Sequence, residues 1–265
     1  MYSAAGEELR ERDHALYRNV LDADFCADLA REAERLAALP LVAPDNLRTE
    51  TWHNGTDIVI SKFDPVVDIS DVYLRLAFDS RVVARVEEFL KEPAELFKDK
   101  IVFKLPGHPG FGPHIDASWY EPFPMEIVAV MIAIDEADPV SGALEIASGY
   151  SPTDDGPREA RDLTGAEIPP PDAWRMVPMR PGDMLVFSSR LPHRSGPNRG
   201  PSPRRALFLS YNARRYGRRY LDYYRFRADL LLAGMGETVG NFGVPAGLRD
   251  QACFRPPVTD PHPGA

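Results

Sequence analysis

Ile101-Val102-Phe103-Lys104-Leu105 followed by Pro106-Gly107-His108-Pro109-Gly110 marks the point where this chain changes character. The first five residues read as a strand. The Pro/Gly cluster stops it, because proline lacks a backbone N–H and glycine admits conformations that break the ladder. The same rhythm continues downstream. Glu126 to Ile134 is an almost continuous apolar run, suited to a central strand. Gly142 to Ile146 is a short strand entered from Pro139-Val140-Ser141. Met184 to Phe187 follows the turn Pro181-Gly182-Asp183, and Arg204 to Tyr211 is a further strand. Five or more short strands with turn signals between them suggest a sandwich or barrel.

Upstream, the first hundred residues read mainly helical. Phe25 to Ala37 carries apolar residues at three- and four-residue steps, with Asp22 or Asp24 as cap and Pro40 beyond its end. Ser80 to Lys91 is a second helix, with Ser80 as N-cap and Val82, Val83, Val86, Phe89 and Leu90 as its apolar stripe. Between them, Ile58 to Phe63 reads as a strand ending at Asp64-Pro65. Residues 151–175 are polar and Pro-rich without a period, and read as an insert or lid.

Composition agrees. The chain has 26 prolines in 265 residues, about twice the usual share of roughly 5%, which disfavours a bundle of long helices. A net charge of −9 argues against a general nucleic-acid binder. The apolar share of 44% is enough for a sizeable core. Cys26 and Cys253 form no CxxC pair and read as buried free thiols. The sequence has neither a signal-like start nor an apolar run long enough for a membrane span, so the expectation is a soluble, cytoplasmic protein.

Chemistry concentrates in Gly112-Pro113-His114-Ile115-Asp116. Strand residues two apart project from one face, so His114 and Asp116 would aim an imidazole and a carboxylate at one point. A second histidine would complete the two-histidine, one-carboxylate face of non-haem Fe(II) oxygenases. His193, in a bend after the strand Met184 to Phe187, is the best candidate. His108 competes, but it sits in a Pro/Gly loop with no strand alignment. Arg204 and Arg205 begin the next strand, and alternation lets only one point inward. An inward guanidinium needs an anionic partner, which a dicarboxylate cosubstrate would provide.

Three blocks, in order, resemble the phytanoyl-CoA dioxygenase (PhyH) family of Fe(II)/2-oxoglutarate oxygenases. They are Lys104-Leu105-Pro106-Gly107 with Gly112-Pro113-His114-Ile115-Asp116, then Ile132 to Gly149, then Arg180-Pro181-Gly182-Asp183 with His193-Arg194-Ser195-Gly196-Pro197-Asn198 and Arg204. The resemblance covers about residues 58–215. It implies a mainly β fold with flanking helices around a double-stranded β-helix (jelly-roll) core, as one domain over 1–265. Its expected parts are a helical section with the first strand (about 1–100), the jelly roll with its insert (about 100–215) and a C-terminal extension (about 216–265). His114, Asp116 and His193 would hold Fe(II). Arg204 would grip the distal carboxylate of 2-oxoglutarate, with Lys62, Met131 and Ser195 also at the cosubstrate. O₂ would be consumed, with ascorbate as an aid in vitro. Ile115 and Ala147 to Ser151 depart from the family's usual residues. Asp116 is retained, where related halogenases carry a small residue, which favours oxygenation or desaturation.

The substrate reads as a small polar metabolite, in natural-product (antibiotic) biosynthesis. Tyr211 to Tyr220 is basic and aromatic and reads as a solvated, partly structural face, or as a site for a phosphate, phosphonate or CoA ester. Asp154, Asp155, Asp57 and Asp64 could instead attract a cationic amino sugar. The alternatives are an acyl-CoA 2-hydroxylase, a jelly-roll metalloenzyme working without 2-oxoglutarate, and a non-catalytic binding protein. Oligomeric state is not legible.

Overall fold

The computed structural model describes residues 13–39, 49–54, 57–120, 122–123, 126–151, 162–232 and 259–263. Its strands are β1 (His14–Tyr17), β2 (Thr49–Asn54), β3 (Asp57–Phe63), β4 (Ala94–Lys104), β5 (Phe111–His114), β6 (Ile127–Ala133), β7 (Leu144–Ile146), β8 (Arg175–Val177), β9 (Met184–Ser188), β10 (His193–Ser195) and β11 (Arg204–Ala213). Its helices are α1 (Ala23–Ala37), α2 (Asp71–Ala77), α3 (Ser80–Leu90) and α4 (Tyr220–Leu232). Seven strands form one antiparallel sheet in the order β1-β9-β6-β11-β4-β3-β2, and four form a second in the order β5-β10-β7-β8.

Strand alternation sorts the larger sheet into two faces. On β4 and β11, Phe97, Ile101, Phe103, Leu207 and Leu209 pack in one core cluster with Leu29 and Leu36 of α1, Tyr73 and Leu76 of α2, and Val82 and Val86 of α3. The opposite face supplies Ala129, Met131, Ala133, Leu185, Phe187 and Ala206. These form a second cluster with Leu144, Ile146 and Val177 of the smaller sheet. Helices thus cover the outside of the large sheet, and the small sheet covers its inside. This is the jelly roll with flanking helices that the resemblance implied.

Several local expectations change. Asp22 caps α1, accepting from the Phe25 N–H at 2.8 Å, but α3 is capped by Asp79, accepting from Arg81 N–H at 2.8 Å, with Ser80 already helical. Among the described residues of the first hundred, strands contribute more than the single one expected. These residues contribute β1, β2, β3 and most of β4 as well as α1–α3. β1 has four residues, too few to display a period, and it forms only by completing the sheet against β9. In the C-terminal extension, α4 had no counterpart in the sequence reading. Among the described residues no helix is long and apolar enough to cross a membrane.

Candidate metal centre

His114 ends β5 and His193 begins β10, and the two are direct cross-strand partners in the small sheet. Their ring centroids lie 4.1 Å apart. Asp116 is not on the strand, as the sequence suggested, but opens a short 3₁₀ turn spanning Asp116–Trp119. The alternation survives because Ile115 between them is extended, at φ −121° and ψ 138°. One ligand atom from each of His114, Asp116 and His193 falls within 4.8 Å of the others, and among the described residues this is the group of donors able to surround a metal ion. His108 is not in it.

Each imidazole is pre-set for ligation. His114 Nδ1 lies 2.8 Å from the Gly112 carbonyl, and His193 Nδ1 lies 2.9 Å from that of Leu191. A carbonyl can only accept, so Nδ1 carries the proton and Nε2 keeps its lone pair for a metal. Burial lowers the His114 pKa, and burial with the neighbouring His114 pulls His193 down to about 4. Both rings are therefore neutral near pH 7. Burial opposes ionisation of Asp116, but Lys100, His193, His114 and Lys98 outweigh it and its carboxyl falls to about 2. Two neutral imidazoles and one carboxylate form a donor set suited to a divalent cation.

Across the inter-sheet space, Arg204 and Arg205 divide as alternation requires. Arg205 turns to the helical side, where it pairs with Asp135 at 2.7 Å and donates to the Ala30 carbonyl of α1 at 3.2 Å. Arg204 shares the inner face with Ala206 and Phe208. It is 3% exposed, and its Nε and Nη1 have no hydrogen-bond partner. Burial pulls it to a pKa of about 10, with Asp135 opposing, so it remains cationic at neutral pH. A buried guanidinium with two open donors is a costly arrangement unless an anion arrives to pair with it.

Its register partner on β4 is Lys104, fully buried, a residue the sequence reading quoted within a motif but assigned no role. Lys104 Nζ donates to Gly142 O at 2.9 Å, to Ser195 Oγ at 2.9 Å and to the Gly196 carbonyl. All three of its donors are thus engaged. Burial first, then repulsion from Arg204, lower its pKa to about 7. Gly142 makes this clamp possible. Its φ is +72°, and a Cβ there would lie 2.7 Å from Lys104 Nζ. Ser195 is held by this clamp, two residues from His193 and on the same face of β10. His108 sits nearby, with its ring against Trp52 and Phe111 and its Nδ1 accepting from Gly110 N–H.

Met131 is buried in the inter-sheet cluster, level with Phe208 on β11 and Leu185 on β9. Lys62 faces the same side, beside Val102, and pairs with Glu50. Asp64 is unavailable to a cationic substrate, contrary to one expectation. It is 1% exposed and pairs with Lys98 at 3.4 Å and Arg227 at 3.6 Å. The basic run Tyr211 to Tyr220 belongs to structure. Tyr211 donates to Ala77 O, while Arg214, Arg215 and Arg219 pair with Glu95, Glu126 and Asp222. Residues 152–161 of the proposed lid, which include Asp154 and Asp155, and Cys253 lie outside the described residues, as does the Asp57 side chain. Cys26 is a free, partly buried thiol.

A jelly roll with two histidines on its small sheet and an aspartate just beyond it, facing a buried arginine on its large one, defines the class of non-haem iron oxygenases. Within that class, the chain belongs to the phytanoyl-CoA dioxygenase (PhyH) family, whose profile matches residues 14–206. It is 33% identical to the 2-aminoethylphosphonate dioxygenase of uncultured bacterium HF130_AEPn_1 over 149 residues, 56% of this chain and 57% of that protein. It is 39% identical to the methylphosphonate hydroxylase of Gimesia maris over 133 residues, 50% of this chain and 51% of that one. The chain spans about half the length of these curated relatives. In fold it resembles the α-ketoglutarate-dependent epimerase SnoN from nogalamycin biosynthesis (TM-score 0.65, 24% identity, covering 79% of this chain and 82% of that one). It also resembles EctD from S. alaskensis with 2-oxoglutarate and 5-hydroxyectoine (TM-score 0.67, 20% identity, covering 80% and 76%).

Proposed function

We propose that the protein is an Fe(II)/2-oxoglutarate-dependent dioxygenase that oxidises a C–H bond of a small polar metabolite. One observation carries this reading: the unpartnered, buried Arg204 guanidinium, on the face opposite His114, Asp116 and His193. A hydrolase or isomerase using the same ligands has no need of a buried cation waiting for a carboxylate.

The residues fit both groups. His114 and His193 would present Nε2, and Asp116 its carboxylate, to ferrous iron. Arg204 would take the distal carboxylate of 2-oxoglutarate through a bidentate pair. Lys104 adds positive charge there while its own donors brace Gly142, Ser195 and Gly196. Ser195 and Met131 would border the cosubstrate, and Lys62 stands further along the same sheet face. Bound iron and 2-oxoglutarate supply the oxidising power that activates O₂ towards a C–H bond. The chain contributes orientation and exclusion of water. Phe187 packs on the His193 ring, with centroids 5.3 Å apart, and fixes its plane. Arg194, on the other side of β10, is held by Glu145 at 2.7 Å and stacks on Trp174, anchoring the strand from behind. The phosphonate-acting relatives support a small polar substrate over an acyl-CoA ester.

The test is anaerobic titration with Fe(II) and 2-oxoglutarate, followed by succinate measurement after air is admitted. A visible charge-transfer band and succinate release are expected. Tight metal binding without any 2-oxoglutarate response would remove the oxygenase reading and leave a different metalloenzyme.

A further inference from the structure

The inner face of β4 is cationic in a way that iron and 2-oxoglutarate do not account for. Alternation puts Lys98, Lys100, Val102 and Lys104 on that face, while Phe97, Asp99, Ile101 and Phe103 face the helices. Lys104 belongs to the Arg204 end. Lys98 and Lys100 stand at the other end, level with Ser210 and Phe208 on β11 and then with Ala129 and Met131 on β6. The row through Lys98 continues to Phe187, whose ring packs on His193. These lysines therefore face the metal ligands across the inter-sheet space.

Their charges are unequally matched. Lys98 is buried, shares Asp64 with Arg227 of α4, and lies over the rings of Tyr120 and Tyr223. Lys62 and Arg227 share Glu50. Lys100 is half-buried, 5.2 Å over the ring of Phe208, with no carboxylate partner among the described residues. Lys100 thus differs from Lys98, Lys62 and Arg227, each of which pairs with Asp64 or Glu50; its charge acts instead on the carboxyl of Asp116, at the metal centre. A partly desolvated lysine with no carboxylate in ion-pair contact and a second lysine beside it is stabilised by an incoming anion, and more by a dianion than by a monoanion. A small tetrahedral oxyanion also offers several acceptors to lysines that approach from one strand face.

We propose that Lys100, backed by Lys98, anchors the dianionic headgroup of the substrate, a phosphonate or phosphate carried on a short carbon chain. The headgroup sits against β4, and the carbon next to it is presented to the His114–Asp116–His193 centre. This deepens the oxygenase reading and rests on it for the chemistry, though headgroup binding itself needs no turnover.

The test is calorimetric titration of the protein with methylphosphonate, 2-aminoethylphosphonate and inorganic phosphate, and with acetate and β-alanine as carboxylate counterparts. It is run on protein as purified and on protein loaded with Co(II) and 2-oxoglutarate. At least one phosphonate should bind saturably and at least tenfold more tightly than its carboxylate counterpart. Lys100→Met should weaken that binding at least tenfold, and Lys100→Arg should stay within about threefold of the native protein. The half-buried position lets both side chains be accommodated, and a melting curve checks that both variants fold. Native affinity in Lys100→Met, equal affinity for carboxylates, tight binding of inorganic phosphate alone, or no binding of any phosphonate overturns the proposal. The uptake of 2-oxoglutarate by the Co(II) protein is recorded separately. If it fails while the phosphonate still binds through Lys100, the oxygenase reading falls and the anion subsite stands.

Discussion

Arg204→Met separates the cosubstrate site from the rest of the fold. The native guanidinium is 3% exposed, with Nε and Nη1 unpartnered. Burial brings its pKa from its ordinary value to about 10, which corresponds to about 3 kcal/mol carried by the charged form at neutral pH. Methionine removes that cost and fills much of the same volume, so the ligand-free variant should be as stable as the native protein or more so. At about 2–4 °C per kcal/mol, a rise in melting temperature of up to roughly 10 °C is the upper bound. Binding moves the other way. Two charge-assisted hydrogen bonds at about 1.5–3 kcal/mol each give a loss of about 3–6 kcal/mol, a factor of at least 10² in the Kd for 2-oxoglutarate. Arg205→Met is the control. It breaks the pair with Asp135 on the helical side, and should cost stability while leaving cosubstrate affinity within a few-fold. Calorimetric titration of the Co(II)-loaded variants, with melting curves of the ligand-free forms, reads both effects. Equal losses of affinity in the two variants, or an Arg204→Met protein that binds 2-oxoglutarate like the native one, would show that the orphaned guanidinium is not the cosubstrate clamp.

Asp116→Ala should lower Fe(II) affinity by at least a factor of about 10², read by metal analysis after gel filtration; full retention would take Asp116 out of the centre. Gly142→Ala should destabilise the protein by more than about 1–2 kcal/mol, because its Cβ would press on Lys104 Nζ at a positive φ; an unchanged denaturation midpoint would refute the clamp. Lys104 has its pKa lowered to about 7 in the fold. Between there and the ordinary lysine value the unfolded chain holds a proton that the folded chain has released, so stability should rise with pH across that window. Lys104→Met should lack this increment in denaturant melts at pH 7 and pH 9. An anion beside Lys104 raises its pKa again, so 2-oxoglutarate should bind with proton uptake near pH 8. Binding heats independent of the buffer's ionisation enthalpy would count against it.

The parts of this fold most legible in the sequence were those whose signal is local. The apolar runs of β6, β9 and β11 end on Gly/Pro turns, and α1 and α3 repeat at helical spacing, so each announces itself. β1, β5, β8 and β10 are three or four residues long and exist because a neighbouring strand pairs with them, which no window of sequence displays. The same division holds at the site. The spacing of His114 and Asp116 pointed at one locus, and a bend placed His193 as a candidate third donor. Strand alternation alone left Arg204 and Arg205 open; the family resemblance pointed to Arg204, and the register of β11 puts that residue on the inner face. Lys104 escaped notice because a lysine in an apolar strand reads as a solvated edge. Its burial follows from three acceptors brought by two distant turns. Lys98 and Lys100 were missed for a related reason, since Asp99 between them makes the stretch look like an ordinary charged surface.

That alternation along β4 also bears on how such an enzyme can diverge. The positions that face the cleft and the positions that meet the helices interleave one by one, so point substitutions at 100 or 102 reshape the cleft while leaving the helical side in place. A single inserted or deleted residue would exchange the two sets, turning lysines into the oily layer and aromatics into the cleft. Lineages built on this strand are therefore expected to explore new substrates by replacement, and to take up length changes only in the turns at its ends.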